Sequence, residues 1–176
     1  MNIEEYAWNT HEQQLKETNE FTYSSPKLKI GDNIALRNQL EETLEKLPQK
    51  DLAKWALRVA VEHLKHLDQH LVNDPRIDLG IETLEKRITG DIRAFDLRKV
   101  GFIVNELAKE STSEPSKYAA RSFAQAIATG HMRGHAIVSS DYAVKLVNYI
   151  SKNDDSVAET ATKERERQLR IAEDLL

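Results

Sequence analysis

Apolar residues recur along this chain at helical spacing. The clearest stretch is Leu52 to Leu71, where Leu52, Trp55, Ala56, Val59, Ala60, Leu64, Leu67 and Leu71 follow the i, i+3, i+4, i+7 pattern. At about 100° per residue they cover one broad face. This predicts a long central helix, capped by Asp51 and running to about Val72. His63, His66 and His70 project from the middle of the same face.

The flanking segments read the same way. Asp32 or Asn33 can cap a helix carrying Leu36, Leu40, Leu44 and Leu47, which Pro48 closes. After the central helix, Asn73 or Asp74 suits an N-cap. Pro75 suits the first helical position, where its missing N–H would have no partner. Ile77, Ile81, Leu84 and Ile88 then line up as far as Gly90, a left-handed C-cap. Asp91 restarts the chain into a helix with Leu97, Val100, Val104 and Leu107 on one face and Phe95 and Phe102 beside it. Ser111 to Ser116, with Pro115, is a loop.

From Lys117 the chain turns alanine-rich, with Ala120, Phe123, Ala124 and Ile127 inward. Gly130 and Gly134 each cost a helix about 1 kcal/mol against alanine, so they predict a break or a close backbone approach. Ser139 or Ser140 can cap the next helix, and Ser156 with Glu159 fits a capping box for the last. That last helix keeps a narrow stripe of Leu169, Ala172 and Leu176. Its Lys163 to Arg170 run reads as a solvated face.

The first 31 residues form an N-terminal arm. Ile3, Tyr6, Ala7 and Leu15 suggest a short helix ending near Thr18, and Phe21, Tyr23, Leu28 and Ile30 surround Ser24-Ser25-Pro26 in an extended stretch. The arm packs its aromatics on the bundle, or it reaches a partner subunit in a homodimer. The expected architecture is therefore all-α: a single-domain bundle of six or seven mostly antiparallel helices over residues 32–176, with no strand and no repeat.

Composition narrows the class. A chain of 176 residues suits one domain with a proper core. It has no cysteine, hence no disulfide and no thiolate chemistry. No window approaches 18 consecutive apolar residues, which argues against a membrane span. The acidic, polar start is unlike a secretory signal, and the expected compartment is the cytoplasm. A net charge of −4 argues against a general nucleic-acid binder.

Candidate chemistry rests on histidines. His63, His66 and His70 are spaced i, i+3, i+7, and His131 and His135 are spaced i, i+4. With Asp74 near in sequence, these imidazoles would suit zinc or a non-haem iron or manganese. Yet His131-Met132-Arg133-Gly134-His135 lacks the glutamate of an HExxH helix, and histidines in apolar stripes also serve as hydrogen-bonded core or cleft residues. Asp74-Pro75-Arg76 is either a cap or an arginine fork presented to a partner. There is no phosphate-cradling glycine loop and no nucleophile elbow.

Three stretches in order, LAKWALRVAVEHLKHL, DPRIDLGIETLEKRITGDI and ARSFAQAIATGHMRGHAIVSSDYAVKLV, resemble the bacterial helical "putative immunity protein" family. Trp55, His63, His66, Asp74, Arg76, Ile81, Gly90, Asp91, His131, Gly134, His135 and Ala136 match its pattern, over a family-like core of residues 52–148. The resemblance implies a cytoplasmic bacterial protein that binds a cognate toxin and neutralises it by occlusion, without catalysis and without a bound cofactor. It carries over no toxin-contacting residue. His63, His66, Asp74, Arg76, His131 and His135 read as a shared polar cluster. A second reading is a metal-binding bundle, extending to a metal-dependent hydrolase, with His63, His66, His70, His131 and His135 as candidate ligands of a divalent metal. A third is a dimerisation module that uses the arm.

Overall fold

The computed structural model describes residues 1–152 and 156–176, and among these residues the chain is all helix and loop, without a strand. Two short helices, α1 (Ile3–Tyr6) and α2 (Thr10–Glu17), form the arm, capped by the side chains of Asn2 and Asn9. Then follow α3 (Ile34–Leu44), α4 (Gln49–Val61), α5 (Pro75–Thr89), α6 (Ala94–Glu110), α7 (Glu114–Ala128), α8 (His135–Ile150) and α9 (Val157–Glu173). The seven helices from α3 onward match the expected bundle, and short links leave consecutive helices mostly antiparallel. No helix is long and apolar enough to cross a membrane among the described residues.

Packing centres on α4 and α7. Trp55, Ala56, Val59 and Ala60 of α4 are fully buried, as are Ala120, Phe123 and Ile127 of α7. Between α7 and α8 the contact is made of small residues. Ser122 Oγ donates to Ser139 O at 2.9 Å, and Ser139 Oγ donates to Ser122 O at 2.7 Å. α9 closes the bundle against α3, α4 and α8, and Trp55 Nε1 donates to Gln168 O at 2.9 Å.

Where the caps are local, the sequence reading matches. Asn33 accepts from Leu36 N at 3.1 Å, Asp74 accepts from Arg76 N at 2.9 Å, and Gly90 takes the left-handed φ of 86° that ends α5.

Four helix boundaries differ from expectation, each for a physical reason. The central helix ends at Val61 and passes through a 3-10 turn at Leu64–His66, after which Leu67 is extended. The carboxylate of Asp68 drives this. It accepts from Thr112 N at 2.6 Å, Thr112 Oγ1 at 2.9 Å and Ser113 Oγ at 2.6 Å, so the chain must leave the helix to reach the start of α7. Leu67 and Leu71 stay buried all the same. α4 itself starts at Gln49, not at a cap by Asp51, because the Gln49 side chain is fully buried and donates to Thr129 O at 2.9 Å. α8 begins at His135, four residues before the expected serine cap; Ser139 and Ser140 are interior to it. Finally, Ser156 makes no side-chain cap, since its backbone at φ −91° and ψ 7° is not in the extended region that a capping residue takes.

The run Lys163 to Arg170 is not a solvated face. Arg165 and Gln168 are fully buried and Glu164 nearly so. Arg165 holds Asp32 through two bonds of 2.9 and 2.6 Å and Asp141 at 2.7 Å, while Arg37 holds the other side of Asp141 at 3.1 and 3.0 Å. With Glu41, which also pairs with Arg37, three carboxylates thus surround two guanidinium groups between α3, α8, α9 and the end of the arm.

The arm lies on its own bundle. Tyr6 and Ala7 are buried, and Phe21 stacks edge-on between Tyr6 and Tyr23 at 5.8 and 5.3 Å. Glu12 accepts from Arg133 N at 2.8 Å and Gly134 N at 3.0 Å. It thereby supplies the free N–H groups ahead of α8 with a partner from 120 residues away. This is why α8 needs no serine cap of its own.

Candidate binding cleft

The histidines singled out by their spacing separate into pairs. His63 is buried at the end of α4, with Nε2 at 3.2 Å from Glu164 Oε1 and at 3.2 Å from Arg167 Nη2. His66 stacks on it at 6.2 Å between ring centroids, and burial, then His63 and Lys65, pushes the His66 pKa below the usual histidine value. For Glu164, burial opposes the charge, but hydrogen bonds from His63 and Arg167 outweigh it and hold its pKa down to about 2. His70 is exposed in the turn that follows. Asp74 and Arg76 form a second group. Arg76 holds Asp74 at 2.8 and 2.7 Å and reaches Glu110 of α6 at 2.8 and 2.6 Å. This is a cap joined to a clamp between α5 and α6.

His131 and His135 form the third pair. The helix breaks between Ala128 and His135, one of the two outcomes expected of Gly130 and Gly134, and the turn keeps the two rings 4.9 Å apart. Gly130 sits where a Cβ would come within 2.6 Å of Leu97 and 2.8 Å of Leu84, so the turn presses directly on α5 and α6. His135 Nδ1 lies 2.7 Å from Gln125 Oε1, and His131 Nδ1 is buried with no hydrogen-bond partner. Burial pushes the His131 pKa down to about 4, with His135 and the charges of Arg98 and Arg87 adding to it. His135 is lowered by burial as well. Both rings are therefore neutral at pH 7.

Among the described residues, no hydrogen bond, ring contact or cavity joins these pairs, and no three His, Asp or Glu side chains converge as metal ligands would. The residues that organise the third pair were not singled out in the sequence. Arg133, lying between the two histidines, is fully buried; its guanidinium donates to Tyr6 O at 2.6 Å, Leu47 O at 2.9 Å and Leu44 O at 3.0 Å.

His131 and His135 line a cleft of about 270 Å³ between α6 and the α7–α8 turn. Leu97, Gly101, Ala124 and Ala128 give it an apolar floor, and Arg98, Phe102, Asn105, Arg121 and Gln125 complete its walls. Arg98 and Arg121 come from helices joined by a loop, and their proximity had no local signature. The signal available was Phe95, Arg98 and Phe102, which recur at i, i+3, i+7 on one side of α6.

A family model described as "Imm-5 like putative immunity protein" matches residues 42–174. The chain belongs to this family. The match is wider than the 52–148 core expected from the motifs, taking in the end of α3 and all of α9 but leaving the arm outside. The paired-histidine turn thus lies inside the family region, while Tyr6 and Glu12, which hold it, lie outside. Neither the comparison with curated proteins nor that with solved structures gave a match.

Proposed function

We propose that this chain is a cytoplasmic bacterial immunity protein that binds a cognate protein toxin and neutralises it by covering its active site, with no turnover of its own. One observation carries the reading. On a chain of the immunity family, α6 presents Phe102, 69% exposed, in the wall of a ready-made cleft, with Phe95, 56% exposed, seven residues earlier on the same side of the helix. Exposed large apolar residues gathered beside a concavity are the usual signature of a surface that another protein covers. The Arg133 anchor fixes the turn that carries His131 and His135 along one side of that cleft, so little ordering cost would fall on association. The histidine pairs serve this reading as architecture.

The test is co-expression with the toxin domain encoded beside this chain. Growth restored by the chain, and a complex that survives gel filtration, support the proposal. A toxin that kills equally with and without the chain overturns it.

A further inference from the structure

The cleft beside α6 has an uneven charge. The chain carries 29 acidic and 25 basic residues, yet no carboxylate lines this cavity, whereas two arginines do. Neither Arg98 nor Arg121 forms an ion pair among the described residues, while Arg37, Arg76, Arg165 and Arg167 each hold at least one carboxylate. Arg121 is steadied by Asn105, which accepts from its Nη1 at 2.9 Å. At the floor, a Cβ added to Gly101 would meet nothing within 4 Å, so the space above α6 is open at that point. Phe102 belongs both to the cleft wall and to an exposed patch with Phe95 and Ile103, the last 45% exposed.

The geometry points to this cleft as the docking surface for an acidic segment of a partner protein: Glu or Asp carboxylates of that segment are held by Arg98 and by Arg121, and its apolar flanks cover Phe95 and Phe102. The surface is argued from the cleft itself. That its partner is the toxin rests on the function proposed above. Each guanidinium matches a planar carboxylate through paired N–H bonds, and a partly enclosed site strengthens such bonds over those in open water. His131 and His135, being neutral, leave the arginines as the cleft's charge. Apolar residues around the ion pair would exclude water from it. A free small anion would satisfy the arginines but leave the phenylalanines bare, which is why a protein segment fits better. A polyanion such as nucleic acid would be opposed by the chain's net charge of −4.

The test uses the full chain, labelled with ¹⁵N and titrated in NMR with the peptide acetyl-Leu-Glu-Glu-Phe-amide. Acetyl-Leu-Gln-Gln-Phe-amide and sodium sulfate at equal ionic strength serve as comparisons. The glutamate peptide is expected to move the signals of Arg98, Gly101, Arg121 and Gln125 and to bind about tenfold or more tightly than the glutamine peptide. The double variant Arg98→Glu/Arg121→Glu, and separately Gly101→Trp, which fills the cleft and keeps both charges, should each lose about tenfold or more in affinity. Gly101→Leu replaces the latter if the indole disturbs folding, as judged by the spectrum. Equal binding of the two peptides, shifts confined to another face, sulfate reproducing the shifts, or full binding by the filled variant would each overturn the inference. Toxin co-expression separates the two readings. If the natural chain protects and Arg98→Glu/Arg121→Glu protects equally, this surface falls and the immunity function stands. If the natural chain fails to protect, the function falls while the peptide result still decides the cleft.

Discussion

Arg133 lies flat against Tyr6, with its guanidinium carbon 3.9 Å from the ring centroid and Nη1 2.6 Å from the Tyr6 carbonyl oxygen. The same group donates to the carbonyls of Leu44 and Leu47, at and just beyond the C-terminus of α3, where helix carbonyls lack partners and the dipole favours a cation. One side chain therefore finishes α3, seats the arm and fixes the turn that carries His131 and His135. Replacing Arg133 by methionine would leave the Tyr6 and Leu47 carbonyls without a donor and Leu44 with only the Leu47 N–H, and the expected loss is about 3 kcal/mol. Lysine should recover less than half of that, since a single ammonium cannot reach all three. Urea denaturation of the two variants checks this; a lysine variant as stable as the natural chain would contradict it.

Arg165 and Lys163 stand two residues apart in one charged run and should behave oppositely. Arg165 is fully buried between Asp32 and Asp141, so Arg165→Met strands carboxylate charge in the interior and should cost about 3–5 kcal/mol. Lys163 is 67% exposed at its side chain, and Lys163→Met should leave the denaturant midpoint essentially where it is. Denaturant midpoints measured side by side would show it. Comparable losses would mean that the buried network is not what holds α9 in place.

That contrast bears on how much of this fold the sequence makes legible. Local devices are readable because both partners sit within a few residues: Asp74 with Arg76, Pro75 at the first turn and Gly90 at the end of α5 all follow from spacing and backbone chemistry. Distant devices are not. The start of α8 depends on Glu12, and the end of α4 on what Asp68 finds at Thr112 and Ser113. Leu169 and Ala172 mark the inner stripe of α9, and a step of four back from Leu169 lands on Arg165, so the periodicity held the clue while residue type pointed outward. For the cleft, the closeness of His131 and His135 follows from their spacing and survives the break in the helix. Arg98 and Arg121 line one cavity only because α6 packs on α7.

Stability should fall with acidity in two overlapping steps. His131, lowered by burial to about 4 from an ordinary 6.5, takes up its proton more readily in the unfolded chain than in the folded one. Its contribution is complete above pH 6.5 and is lost as the pH drops toward 4, with His135 and His66 acting in the same sense. Solvent screening at the half-buried ring keeps the His131 share to about 1–2 kcal/mol. Glu164, held down to about 2 from an ordinary 4.5, adds stability above pH 4.5 that disappears below it. Unfolding midpoints between pH 8 and 3 should decline from about 6.5 downward, and His131→Gln, which cannot titrate, should flatten the upper part of the curve. A profile flat from pH 7 to 4 would refute the burial of these rings.

Neutralisation by occlusion requires one chain for each toxin molecule, and a stoichiometric titration reads that directly. Purified toxin domain is held at a concentration well above the dissociation constant, and its activity is followed as this chain is added. A binder that covers the active site predicts a linear fall to the baseline at one molar equivalent, unchanged by longer incubation. Complete, time-dependent inactivation by a small fraction of an equivalent would show turnover and contradict the account.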